Sequence, residues 1–140
     1  MTIDALIARV KILLRDKSEA DNYLLDDVEF SQEEIVVAIE SVVDEWNETQ
    51  PVIRKYTPTS FPYRHHMMDG IRSVLFGIAA DNYHRNHLDY AAGGVTIGDK
   101  NKGDLYLKKA DYYYGRWRAF MEQQKRTDNL NSAWRSVRAR

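Results

Sequence analysis

Residues 31–46, SQEEIVVAIESVVDEW, decide the fold class. Ser31 stands three positions before Glu34, the spacing of a capping box, in which each side chain satisfies the other's backbone amide at a helix start. Ile35, Ile39, Val42, Val43 and Trp46 then recur at intervals of mostly three or four, one stripe of a 3.6-residue helix. Pro51 disfavours helical geometry at the residue before it, so this helix fades by Thr49. All three prolines of the chain fall between Gln50 and Pro62, and TPTSFP at 57–62 reads as an extended, stiff connection.

Toward the start of the chain a second stripe, Ile3, Leu6, Ile7, Val10, Leu13 and Leu14, predicts a helix from Ile3 to Arg15. Thr2 supplies a cap and Asp4 complements the helix dipole. The acidic stretch Asp16–Glu29 reads as a connection, with Tyr23, Leu24 and Leu25 to pin it to the core.

Toward the end, Met68, Ile71, Leu75, Ile78, Ala79 and Asn82 predict a long helix from Tyr63 to Asp89. Gly70 and Gly77 lie seven apart on one side of it, where missing side chains let another helix approach. That compensates a cost of about 1 kcal/mol per glycine relative to alanine. Residues 92–103, AGGVTIGDKNKG, suggest a hairpin-like or extended excursion between helices. A fourth helix follows from Asp104, its expected cap, to about Arg126. Tyr106, Ala110, Tyr113, Trp117, Phe120 and Gln124 trace one face, and Lys108, Lys109, Arg116, Arg118, Lys125 and Arg126 cover much of the rest.

The last twelve residues, NLNSAWRSVRAR, hold three arginines, no acid and one tryptophan. Trp134 among arginines is the residue type that anchors interfaces. Leu130, Trp134 and Val137 share one face if the segment is helical, so it either becomes a short amphipathic helix on a partner or stays a disordered basic end. A helix so short is marginal alone, and its order is expected to come with binding. The expected architecture is mainly α: a four-helix bundle-like domain over 1–128, two long helices joined by a short Gly-rich hairpin or loop, and an extended C-terminal docking tail over 129–140.

The length of 140 residues suits one domain, and 44% hydrophobic with 29% charged residues is ordinary for a globular chain. No apolar run approaches the roughly 20 residues that span a bilayer, so no membrane association is expected. The opening MTIDALIARVKILL has acid before base, the wrong order for a signal peptide. The absence of cysteine excludes disulfides, thiolate metal sites and cysteine nucleophiles, and permits a reducing cytoplasm. The charge is polarised: residues 1–50 carry thirteen acids against four bases, and residues 51–140 sixteen bases against eight acids. Such separation suits contact between the acidic part of one copy and the basic part of another, or two differently solvated faces of one molecule.

Candidate chemistry is sparse. Asp81, His84 and His87 are spaced for one helix face, but no fourth metal ligand is indicated, and adjacent His65 and His66 point in different directions. Neither Gly-x-Ser-x-Gly nor a phosphate-binding Gly-x-x-x-x-Gly-Lys loop occurs. Gly93, Gly94 and Gly98 only loosely imitate a dinucleotide loop. Asp26 with Asp27, and Asp44 with Glu45, read as solvated charge. No enzyme activity, metal or cofactor is therefore expected. Tyr112-Tyr113-Tyr114 with Arg116, Trp117 and Arg118 can stack on nucleic-acid bases or build a protein interface; the acidic first half favours the interface.

The order of two short amphipathic helices, a proline-bearing connection, a long helix, Gly93-Gly94-Val95-Thr96-Ile97-Gly98-Asp99, a tyrosine-rich second long helix and a protruding tail resembles the head-to-tail adaptor, or connector, proteins of tailed bacteriophages. The proline-bearing connection is longer than a minimal adaptor needs. The resemblance implies a structural virion protein in the neck between capsid and tail, assembled in the host cytoplasm as a ring, commonly of twelve copies, under the portal protein, with DNA as transiting cargo. It implies portal docking by Leu130, Asn131, Trp134, Arg135, Val137, Arg138 and Arg140. It also implies contact with a neighbouring copy or a downstream neck or tail protein through Gly93, Gly94, Val95, Thr96, Ile97, Tyr112 and Tyr114. The acidic helices would face outward or toward the channel. The alternatives are another neck or tail-completion protein, a small DNA-binding regulator using the basic fourth helix and tail, and a metal-dependent helical enzyme built on His84 and His87.

Overall fold

Helix α1 covers Ile3–Leu14 and α2 covers Gln32–Glu48, each starting at the cap its sequence announces. At α2 the box is closed in both directions: Glu34 N–H donates to Ser31 Oγ at 3.2 Å, and Ser31 N–H to Glu34 Oε2 at 2.8 Å. The computed structural model describes residues 2–18, 28–86, 89–92, 95–98 and 100–138, and side chains for all of these except 89–92, 95–98 and 100. Helix α3 follows at Arg64–Arg85, strand β1 at Asp89–Ala92, strand β2 at Val95–Gly98, and helix α4 at Lys100–Arg138. The chain is mainly helical, and its four described helices are consistent with a helical bundle.

From α1 the core receives Leu6, Ile7 and Val10; Ile12 and Leu13 at its far end are exposed, so the buried stripe is narrower than its sequence suggests. Tyr23, Leu24 and Leu25, expected to pin the next connection, lie outside the described residues. The described fastening is a different one. Asp16 is buried, and its carboxylate accepts from Glu29 N–H at 2.7 Å and Phe30 N–H at 2.8 Å. A buried carboxylate satisfied by two amides fixes both ends of the connection and delivers Phe30 to the core.

Between α2 and α3 the chain is clamped by Asn47, whose amide donates to Tyr56 C=O and accepts from Tyr56 N–H, both at 2.8 Å. The stretch expected to be extended holds a turn instead. Ser60 N–H and Phe61 N–H both donate to Thr57 C=O, and the hydroxyls of Thr57 and Ser60 close it further. This turn seats Phe61, fully buried, against Trp46 edge to face with centroids 5.2 Å apart.

Helix α3 is the central element, packing on α2 on one side and along α4 on the other. Its sequence was expected to run to Asp89, but that residue opens β1. β1 pairs antiparallel with β2 in the register Asp89–Gly98, Tyr90–Ile97, Ala91–Thr96, Ala92–Val95. The two glycines of α3 differ. A Cβ on Gly70 would stand 2.9 and 3.0 Å from the Val42 methyls and 3.2 Å from Trp117 Cδ2, so side chains of α2 and α4 pack directly onto the α3 backbone there. A Cβ on Gly77 would meet nothing within 4 Å, so no helix approaches at that point. Gly77→Ala is therefore expected to stabilise the protein by about 0.5–1 kcal/mol through helix propensity alone, measured as a rise in urea midpoint.

The fourth helix departs furthest from expectation. It begins at Lys100, not at an Asp104 cap, and runs 39 residues to Arg138, about 58 Å at 1.5 Å per residue. The segment expected to be an extended tail is its last three turns. Gly103, Ala110, Trp117, Met121 and Lys125 form its buried line. Asp104 instead meets His84 Nε2 at 3.2 Å, joining the first turns of α4 to the last turn of α3.

Candidate partner-docking surface

From Tyr114 onward, four groups of contacts fasten α4 to the body. Arg116 Nε pairs with the buried Asp69 carboxylate of α3 at 3.1 Å, with Arg72 at 3.9 Å on the same group. Glu45 of α2 accepts from Trp117 Nε1 at 2.9 Å and from Tyr114 OH at 3.0 Å. Further on, Lys125 is buried; its ammonium sits 5.0 Å over the Trp46 ring and donates to the carbonyls of Thr49 and Pro51. Burial lowers its pKa from the ordinary lysine value, with Asp128 opposing the shift. Last comes Asp128, which accepts from Gln124 Nε2 at 2.9 Å and Tyr63 OH at 3.4 Å.

Beyond Asp128 every described residue, 129–138, is exposed. Leu130, Trp134 and Val137 are 62, 66 and 66% exposed and stand at i, i+4 and i+7, so they form one apolar ridge along the helix. Asn131, Arg135 and Arg138 run alongside it, and the segment holds no acid. Of the residues expected to dock, the fold thus brings six together on one end of α4; Arg140 lies outside the described residues. The order of this segment is continuous with the helix before it, whereas the sequence suggested that order would await a partner.

The second expected contact set is divided. Val95, Thr96 and Ile97 belong to β2, while Gly93 and Gly94 lie outside the described residues. Tyr112 is exposed, with the Arg116 guanidinium 5.8 Å from its ring centre. Tyr114 is tied inward by its bond to Glu45, and Arg118 donates to the same hydroxyl at 3.2 Å.

Three charged groups with structural work escaped the sequence reading. Glu45, read as solvated, is the acceptor that holds α4 to α2. Lys125, read as part of the basic outer face, is buried; its position four residues after Met121 and eight after Trp117 was the available signal. Asp69 gave no sign beyond its place in a helix. His66 stacks on Phe120 with ring centres 3.7 Å apart, and burial pushes its pKa down. Among the described residues no three His, Cys, Asp or Glu side chains are grouped to hold a metal, and His87 lies outside them. Nor is any described helix long and apolar enough to cross a membrane. No family model, curated protein or solved structure matches this chain.

Proposed function

We propose that this chain is a docking subunit of a larger protein assembly, which acts by attachment and performs no catalysis. More particularly, it is a head-to-tail adaptor of a tailed bacteriophage. In this reading it forms a ring, the dodecamer that the resemblance to such adaptors implies, beneath the portal protein, with the next neck or tail protein below and DNA passing through. The observation that carries the reading is the exposed ridge Leu130–Trp134–Val137 on a helical end that the body does not use. An aromatic side chain flanked by arginines is the usual anchor of a protein interface, and a helix presents it already ordered.

The surface charges support association between copies. Glu33, Glu40, Asp44 and Glu48 lie exposed on α2, and Lys108, Lys109, Arg118 and Arg126 lie exposed on α4. Opposite faces of this kind orient a head-to-tail contact between neighbours, the arrangement that closes into rings. Repeated weak contacts on a multivalent template then add up to firm attachment. Within the ring, residues 93–98 contact a neighbour or the next neck protein, and residues 129–140 contact the portal.

Co-sedimentation with portal rings tests the proposal. Deleting residues 129–140 is expected to leave the melting temperature unchanged, to lower the helical circular dichroism by no more than the turns removed, and to abolish attachment. Trp134→Ala is expected to weaken docking by about 2 kcal/mol, roughly thirtyfold in Kd. Undiminished binding by the truncated chain would refute the proposal.

A further inference from the structure

A cavity of about 370 Å3 opens between the 51–56 connection and the final turns of α4, on the side of that helix adjoining the apolar ridge. Its volume falls within the range of small-ligand sites. Trp46, Tyr56 and Tyr63 give it aromatic walls, and Lys125 and Asp128 also line it. Arg54 from the connection and Arg135 from α4 both belong to its lining.

The charges there do not balance. Three cations line the cavity against one carboxylate, and both oxygens of that carboxylate already accept hydrogen bonds, from Gln124 and Tyr63. Lys125 is buried on carbonyl partners with no ion pair among the described residues, and neither the Arg54 nor the Arg135 side chain has a hydrogen bond or ion pair there. One carboxylate, Asp128, offsets only part of this positive charge, and a guest bearing negative charge would balance the rest. The two guanidinium groups in the lining offer the planar, forked donors that carboxylates take best.

We propose that this cavity binds a short acidic peptide segment, its carboxylate between Arg54 and Arg135 and a flanking apolar side chain against Trp46 and Tyr56. A peptide fits better than a nucleic-acid strand. The aromatic walls from Trp46, Tyr56 and Tyr63 reward an apolar side chain next to the charge, which a peptide supplies and a phosphate backbone does not. The site shares Asn131 and Arg135 with the proposed docking surface but not the ridge residues Leu130, Trp134 and Val137, and its test does not depend on that proposal's partner.

The test uses the full chain and a blocked tetrapeptide, acetyl-Ala-Glu-Tyr-Ala-amide, followed by amide and indole NMR shifts. Saturable shifts confined to the cavity residues are expected, with the glutamine version of the peptide bound about tenfold more weakly, the worth of one charge-assisted contact. Arg54→Gln, at an exposed position, is expected to erase the preference for glutamate without altering the melting temperature, and Trp134→Ala to leave peptide affinity unchanged. Equal binding of both peptides, no saturable shift, or tighter binding of a thymidine oligonucleotide at the same residues overturns the assignment. Each of these outcomes is read without portal protein, so it stands apart from the co-sedimentation result.

Discussion

Alanine in place of Trp117 is expected to lower the stability of the fold by about 4 kcal/mol. Its indole is 0% exposed and lies within about 6 Å of the rings of Trp46, Phe61 and Phe120, so truncation opens a cavity at the point where α2, α3, α4 and the 57–60 turn converge. It also removes the Nε1–H bond to Glu45, leaving that carboxylate with Tyr114 alone. Since domains of this size are stable by about 5–15 kcal/mol, such a loss takes away a large share of the total. Urea unfolding measures it, and Trp117→Phe separates the parts: retaining most of the volume without the donor, it is expected to cost about 1–2 kcal/mol. A loss below 1 kcal/mol for the alanine variant would remove Trp117 from the centre of the core.

Gly70→Val is expected to cost about 3 kcal/mol, with Gly70→Ala at roughly half of that. In an open helix the alanine change would be favourable by about 1 kcal/mol. Here the new carbon enters contacts of 2.9–3.2 Å with Val42 and Trp117, both buried and neither able to swing away as a surface side chain would. Overpacking therefore outweighs propensity, and a branched residue adds a second offence. Equilibrium unfolding of both variants beside Gly77→Ala gives the check: the same helix, the same residue type, and opposite signs. Stabilisation by Gly70→Ala would contradict the packing of Val42 and Trp117 onto the α3 backbone.

What could be read from the sequence followed locality. The start of α2 was legible because Ser31 and Glu34 settle it between themselves, and its buried stripe because periodicity needs no partner. Gly70 and Gly77 could not be told apart, since both satisfy the same spacing and only the path of a neighbouring helix distinguishes them. Glu45, Asp69 and Lys125 carry charges that composition assigns to solvent; what buries them is the element opposite. The end of α4 was misread for another reason. Asp128, Asn129 and Asn131 are weak helix formers whose side chains compete for the backbone, so the pattern looks broken after Arg126, yet the helix anchored in the core by Trp117 and Met121 carries through them. Of the candidate surface, the ridge was visible in the residues themselves, while the cavity beside it required two distant segments to meet.

Lys125 and Asp128 act as the fulcrum of a cantilever. From Lys125 to Arg138 is thirteen residues, an overhang of about 20 Å at the helical rise. Strain applied at the free tip is thus delivered to the Thr49 and Pro51 carbonyls and the Trp46 ring, and so to the end of α2. A pull on the tip and a shift of the acidic helix become one mechanical event.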